Sequence, residues 1–409
     1  MNDAATRRSL RVVQQVEPHR VLVDGRWLLN FASNDYLGLS QHPKVKQAAS
    51  QALQQWGTGS GSSALLSGYS SCHEQLAMEL AAWKDANCQP SSGNECGEPR
   101  SENVATLLFP TGYAANVGLL TSVIEPEDHV FSDRKNHASI IDGLRLAQAM
   151  HRQVTVRHFR HRDYADLERL LRATPAGGRR WIVTDSVFSM DGTTVPAARV
   201  WQLAQQYSCG LIVDEAHATG VCGDTGSGLF KFDDSNQPET NGTGLIVVGT
   251  LSKALGAAGG FVCCNPELAQ RLLQSARSMI YSTALPPATV AAASQALQLA
   301  RDDDQWRVAL QQHVARLHRE LQEMGWQTTG DLDGPLLSVL AGDAQQALNL
   351  SGWLLDEGIF APAIRQPTVK PLECRIRISP IATMGEAELS HLLAAFRKLR
   401  GHQPGPVSS

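Results

Sequence analysis

Residues 210–217 read Gly-Leu-Ile-Val-Asp-Glu-Ala-His, an apolar run that stops abruptly at an acid. Runs of the same kind recur on both sides of it: VATLLF (104–109), HVFSD (129–133), VTVRHF (154–159), RWIVTDSVF (180–188), GLIVVGT (244–250) and GGFVCC (259–264). Near-continuous hydrophobicity over so few residues marks strands buried on both faces. Between them lie ANVGLLTSVI (115–124), ASIIDGLRLAQAM (138–150) and AARVWQLAQQY (197–207), which suit amphipathic crossover helices. The expectation is an α/β fold with a mostly parallel central sheet. In such sheets ligands collect beyond the carboxyl ends of the strands, so the polar residues just past each run are weighed first.

Working outward, residues 1–50 form an N-terminal segment, and residues 51–285 hold the sheet as a large domain. After Pro286-Pro287 the pattern changes to long Ala/Leu/Gln helices, a few strands near Leu336–Leu340 and Cys374–Ile378, and a last helix (EAELSHLLAAFRKL). Residues 286–409 are therefore expected to form a smaller C-terminal α/β domain. The Gly/Ser-rich stretch 57–71 is interrupted by apolar residues, so it reads as a turn or backbone-contact element and not as a linker. Two polar segments, 85–103 and 231–243, read as surface insertions.

The charge balance, 36 Lys and Arg against 40 Asp and Glu, gives no general basic surface for a nucleic-acid backbone. No run of eighteen apolar residues occurs, and MNDAATRRSLR lacks the apolar centre of a secretory signal, so no membrane association and a cytoplasmic location are expected. The eight cysteines (Cys72, Cys88, Cys96, Cys209, Cys222, Cys263, Cys264, Cys374) are scattered through a large chain, which favours reduced thiols.

The strongest local signal for chemistry is VVGTLSKALG, where Lys253 follows a buried strand and a turn of small residues. An arbitrary lysine is usually a solvated surface group, so its surroundings must argue otherwise. A lysine at a strand end among apolar residues has a lowered proton affinity and a free amine, which suits covalent capture of a carbonyl. Asp214, brought to a strand end by the run 211–213, needs a cationic partner, and the protonated nitrogen of a pyridine cofactor is one. His217, in the turn beyond, then suits the cofactor's phenol oxygen. The letters DEAH also occur in helicases, but no GxxxxGK[ST] loop is present and the dipeptide Gly-Lys does not occur at all. One Asp, one Glu on the opposite strand face and one His make a poor metal ligand set.

FPTGYAANVG places a Gly-containing turn and a helix start after a strand, and free amides there suit a phosphate, with Thr250 and Ser252 as further donors. His137, in the polar turn of FSDRKNHASI, can stack on a pyridine face. Ser189 in VFSMDG is a candidate polar contact, while Asp191-Gly192 is an ordinary turn signal. In CRIRIS, Arg375 and Arg377 share one strand face, and a guanidinium there can either clamp a substrate carboxylate or serve as a salt-bridged structural residue. GTGSGSS superficially suggests a nucleotide binder, but no βαβ unit with a downstream acid surrounds it.

NFASNDYLGLSQHP, GTGSGSSALLSGYS, FPTGYAAN, NHAS, VFSMDG, DEAHATGV, GTLSKALG, YSTALPP and AIRQPTV occur in that order. Together they resemble the α-oxoamine synthase family of fold-type I pyridoxal-phosphate-dependent transferases, from about Asn30 to the last helix. The resemblance implies that Lys253 carries the pyridoxal 5'-phosphate, Asp214 pairs with its ring nitrogen, and His137 stacks on the ring. It implies contacts from Ser189 and His217 near the ring oxygen, with Gly112, Tyr113 and Thr250 around the cofactor. Asn34 and Arg377 would hold the amino-acid carboxylate, and Thr368 and Arg8 would meet the acyl substrate. Family members are homodimers with the site at the subunit interface, so Asn34 and Thr283 are expected to act on the partner's cofactor.

SNDYLGLS together with AIRQPTV most resembles the members that condense L-alanine with a pimeloyl thioester, on coenzyme A or a carrier protein, and release carbon dioxide. The alternative within the family is glycine with acetyl-CoA. Departures from the family pattern are the short N-terminus, Ser62-Ser63 in place of a Gly-Ser pair, and the two long insertions.

Overall fold

The computed structural model describes residues 10–88, 101–175, 177–233 and 244–399; Arg8, Cys96 and most of both polar insertions lie outside them. Three short strands come first, β1 (Val13–Val16), β2 (Arg20–Val23) and β3 (Arg26–Asn30), followed by helices α1 (Pro43–Trp56) and α2 (Ser71–Lys84). Strands and helices then alternate: β4 (Ala105–Phe109), α3 (Gly112–Val123), β5 (His129–Asp133), α4 (Ala138–Met150), β6 (Thr155–Phe159), α5 (Tyr164–Arg172), β7 (Arg180–Asp185), α6 (Ala197–Gln206) and β8 (Cys209–Asp214). Next come β9 (Leu245–Thr250), β10 (Gly260–Cys264), α7 (Pro266–Ser275), α8 (Arg277–Ile280), α9 (Pro287–Asp302) and α10 (Gln305–Glu323). The chain finishes with β11 (Thr328–Thr329), β12 (Leu337–Gly342), α11 (Ala344–Asp356), β13 (Ile359–Phe360), β14 (Ala363–Ile364), β15 (Cys374–Ile378) and α12 (Glu386–Lys398). No helix among the described residues is long and apolar enough to cross a membrane.

The chain divides into two units. One comprises the two chain ends, bordered at Gln41 and Asp304, together with Ser189–Thr194; the other comprises His42–Phe188 and Val195–Asp303. The second unit is built on a seven-stranded sheet in the order β4-β10-β9-β8-β7-β5-β6. β6, β5, β7, β8 and β9 pair in parallel, and β10 runs against both β9 and β4. Six strands therefore point the same way, as the apolar runs predict. β8 and β9 are buried at every position, whereas the edge strand β6 is half open and carries Arg157 and His158, charges that discourage edge pairing. α1 and α2 pack on α9, and Phe109, Leu119, Ile140, Leu144, Trp181 and Val248 belong to one contiguous core.

β9 and β10 are joined by the loop 251–259, closed by bonds from the Leu251 amide to the Gly259 carbonyl (3.0 Å) and from the Ala257 amide to the Leu251 carbonyl (2.9 Å). The register sets Asp185 of β7 opposite Asp214 of β8, and Gly260 of β10 opposite both Thr250 and Phe109. In the other unit, β11, β12, β15 and β14 form an antiparallel sheet, and β13 extends the β1-β2-β3 sheet by pairing in parallel with β3. Phe31, Trp326, Ile376 and Phe396 are buried in its core.

Cys72, Cys209, Cys263, Cys264 and Cys374 form no disulfide. Burial pushes the Cys209 thiol up to about 12 and the Cys263 thiol up to about 11, and raises Cys264 further still. The thiolate is the reactive form, so these three thiols should resist a thiol-specific reagent at neutral pH until the protein unfolds. Counting modified thiols by mass spectrometry before and after denaturant checks this; rapid native labelling at Cys263 would contradict it.

Candidate active site

β8 delivers Asp214 to the carboxyl edge of the large sheet, where it is buried, 5% exposed. Its carboxylate accepts from Asn116 Nδ2 at 2.6 Å and from the Ala216 amide at 2.8 Å. Two donors thus converge on this one buried carboxylate. Asn116 lies one turn into α3 and also donates to Ser139 Oγ (2.9 Å), while its own Oδ1 is buried with no hydrogen-bond partner. An orphaned acceptor beside a buried carboxylate calls for an explanation other than packing.

His137 is the N-cap of α4, its Nδ1 accepting from the Ser139 amide at 3.3 Å. Its own amide donates to Asp185 Oδ2 at 2.8 Å. Desolvation holds the imidazole below its ordinary range; the Asp214 carboxylate opposes this, the Lys253 ammonium reinforces it, and Asp142 opposes it. Asp185 feels both Asp214 and Lys253 as well. The sheet edge thus brings His137, Asp214 and Lys253, three residues predicted from separate motifs, into one electrostatic cluster. Lys253 is half-buried in the 251–259 loop, between buried Leu251 and Ala254. His217 is buried three residues beyond Asp214.

Two glycines shape the adjoining end of α3. A Cβ on Gly260 would lie 2.5 Å from the Gly112 nitrogen, and one on Gly112 would lie 3.4 Å from Thr250 Cβ, so this helix start rests directly on the strand ends. Thr111 caps the helix by accepting from the Ala114 amide (3.0 Å). The amides of Gly112 and Tyr113 precede the first intrahelical bonds, as those of helix starts that hold phosphates do. Thr250 and Ser252 share a hydroxyl bond of 2.8 Å beside them. Tyr113 is itself exposed, and its phenol donates to Asp142 Oδ2 at 2.5 Å. Thr283 is exposed and bridges Ser63, so the Gly/Ser-rich stretch makes the backbone contacts expected of it, including one from the Ala284 amide to the Ser62 carbonyl at 3.0 Å.

A second group lies in the unit formed by the chain ends. Arg377 on β15 donates through Nε to the Ser189 carbonyl (2.7 Å), through Nη1 to Ser379 Oγ (2.8 Å), and through Nη2 to Asn34 Oδ1 (2.8 Å) and Tyr36 Oη (2.9 Å). Ser189 thus contributes its carbonyl here. Arg375, two residues earlier, is buried against Asp191 and takes the salt-bridged role, so Asp191 does more than shape a turn. Thr368 is exposed in the turn between β14 and β15, its amide bonded to the Arg365 carbonyl at 3.0 Å.

Directly behind Asp214, Glu215 points the opposite way, as strand alternation requires. Its carboxylate pairs with fully buried Lys84 and accepts from the amides of Leu229 (2.6 Å) and Phe230 (2.9 Å). Lys84 also donates to the Ser227 carbonyl and, at 3.4 Å, to Thr219 Oγ1, so every donor of its ammonium is used. Gly228, at φ +114°, leaves no space for a Cβ against that carboxylate.

Sequence reasoning passed over Asp185, Asn116, Lys84 and Tyr36. Asp185 ends an apolar run just as Asp214 does, a signal that was available in RWIVTDSVF; Asn116 stands in FPTGYAAN and Tyr36 in SNDYLGLS. Lys84 had no local signal.

The residues fit pyridoxal phosphate: an amine at Lys253, a buried carboxylate at Asp214, an imidazole at His137, and a helix start beside Thr250 that can take the phosphate. The unmatched Asn116 Oδ1 marks the same spot as polar. The family "Aminotransferase class I and II" matches residues 26–396. 8-Amino-7-oxononanoate synthase 2 of Bacillus subtilis strain 168 is 40% identical over 399 residues, covering 98% of this chain and 95% of that protein. A solved structure described as SPT with its PLP internal aldimine superposes with a TM-score of 0.84 at 26% identity, over 96% of this chain and 93% of that one. The 8-amino-7-oxononanoate synthase of Francisella tularensis superposes with a TM-score of 0.71 at 26% identity, over 91% and 97%. Fold, cluster and kinship coincide: the chain belongs to the class I and II aminotransferase family, among the 8-amino-7-oxononanoate synthases.

Proposed function

We propose that this protein condenses L-alanine with a pimeloyl thioester, releasing carbon dioxide and the free thiol, to give 8-amino-7-oxononanoate for biotin synthesis. The observation that carries the reading is the convergence of Lys253, Asp214 and His137 at one sheet edge in a chain with full-length kin of that activity. When bound, pyridoxal phosphate supplies an electron sink for negative charge at the amino-acid Cα. Lys253 Nζ holds the cofactor and, once released from it, takes the Cα proton and later returns one. Asp214 would pair with the ring nitrogen, His137 would stack on the ring, and Ser189 and His217 would serve the ring-oxygen region. Gly112 and Tyr113 would present amides to the phosphate, joined by Thr250. Asn34 and Arg377 hold the substrate carboxylate, and Thr368 meets the acyl chain.

The working unit in this reading is a homodimer in which Asn34 and Thr283 serve the partner's cofactor. An apolar cavity of about 330 Å³ lined by Leu65, Tyr69, Phe109, Met279 and Thr283, with Leu66 next to it 81% exposed, supports coverage of that face. The absence of any long apolar helix among the described residues and the free thiols of Cys72, Cys209, Cys263, Cys264 and Cys374 are in keeping with a cytoplasmic enzyme.

The direct test mixes the pyridoxal-phosphate-loaded protein with L-alanine or glycine and with pimeloyl-CoA, a pimeloyl carrier protein or acetyl-CoA, and identifies products by mass spectrometry. 8-Amino-7-oxononanoate from alanine is the expected product; efficient product from glycine and acetyl-CoA alone would overturn the assignment. Arg377→Lys keeps the charge but not the planar fork. Losing a charge-assisted pair is expected to raise the KM for alanine about 10- to 100-fold with a smaller change in kcat, which steady-state kinetics will check.

A further inference from the structure

We propose that Asp185 stands beside Asp214 as a neutral carboxylic acid, and that its Oδ2 fixes the turn that presents His137. The proposal rests on the reading of this cluster as the cofactor site.

The two acids end adjacent parallel strands in direct register, where strands lie about 4.8 Å apart. Each is only 5% exposed. Two carboxylates in such a place do not both ionise, because each opposes the other's charge in poorly solvated surroundings. The donor count decides which one does. Asp214 receives Asn116 Nδ2 and the Ala216 amide, whereas the described partner of the Asp185 side chain is one amide, that of His137.

The backbone prevents the pair from relaxing apart. Ser186 donates to the Asp214 carbonyl through its amide (2.9 Å) and through Oγ (3.1 Å). The Asp185 amide donates to Asn136 Oδ1 at 2.9 Å, and Asn136 Nδ2 donates to the Val183 carbonyl (2.8 Å) and Ser132 Oγ (3.0 Å). Asn136 immediately precedes His137, so side chain and backbone of Asp185 both hold that turn. Other charges facing Asp185 are Lys253 and Asp133, the latter bonded to His161. Burial and the Asp214 carboxylate push the Asp185 carboxyl well above its ordinary range, against the His137 amide and Lys253. A site with one charged and one neutral acid offers a single negative charge to a single ring cation, and adds an O–H donor next to it.

Infrared difference spectra of full-length protein without cofactor, wild type minus Asp185→Asn at neutral pH, read the acid directly. The carbonyl stretch of a neutral carboxylic acid is expected in the wild type and absent from the variant; no lost band overturns the proposal. Should Asp185→Asn fail to fold, carbon NMR of aspartate-labelled wild type decides the same point, since one carboxyl must keep its protonated shift at pH 7. Titration with pyridoxal phosphate tests the turn. Asparagine still accepts from the His137 amide and alanine does not, so Asp185→Ala should bind about tenfold more weakly than Asp185→Asn; equal affinities would overturn the fixing role. If wild type takes up no pyridoxal phosphate, the cofactor-site reading fails, while the infrared and NMR results still decide the neutral acid.

Discussion

Lys253→Ala protein is expected to bind pyridoxal phosphate only reversibly and to lose activity by a factor of about 10⁴ or more. Both losses come from one atom. In the proposed mechanism Nζ supplies the covalent hold and is the base for the Cα proton, a role worth about 10²- to 10⁴-fold alone. The loop 251–259 places this amine beside Asp214 and His137, and none of the cluster's other described members carries an amine. Borohydride reduction of wild type followed by peptide mapping should place the cofactor on Lys253, and dialysis should strip it from the variant. Activity within tenfold of wild type, or a mapped adduct at another lysine, would remove the centre from the proposed mechanism.

The second large effect is on stability. Lys84→Met is expected to cost about 3–5 kcal/mol, because it strands the Glu215 carboxylate with no solvent and no counter-charge. Lys84→Met/Glu215→Leu, which removes both charges, should recover most of the loss, since apolar replacements of buried pairs are often neutral. Urea unfolding of the two variants measures both numbers. A single variant as stable as wild type would mean that the pair adds nothing where it stands. Because Glu215 follows Asp214 and its amide bonds the Val248 carbonyl at 2.7 Å, the single variant should also weaken pyridoxal phosphate binding.

How much of this was readable beforehand follows from the distance over which each feature is encoded. The seven sheet strands were legible as apolar runs, unbroken where burial takes both faces as in β8 and β9, and α4 was legible because an amphipathic pattern follows the polar turn at His137. β11, β13 and β14 were not, being two residues long, too short for any period to register. Arg375 and Arg377 share one alternation pattern yet differ in role, because their partners Asp191, Asn34 and Tyr36 come from far away in the chain. The same long range hid Lys84, whose acid lies 131 residues on. Asp185 was hidden differently: it ends its strand just before VFSMDG, whose Asp191-Gly192 turn is the stronger local signal.

The reversed strand β10 has a consequence for how the protein matures. Parallel neighbours need a long crossover, but β9 and β10 are antiparallel, so a short connection joins them and carries Lys253 just after β9. Closing so small a ring demands little chain entropy. The Lys253 amine can therefore reach its final geometry during early, local assembly, whereas the contacts of Arg377 with Ser189, Asn34 and Tyr36 must wait until β15 has left the ribosome.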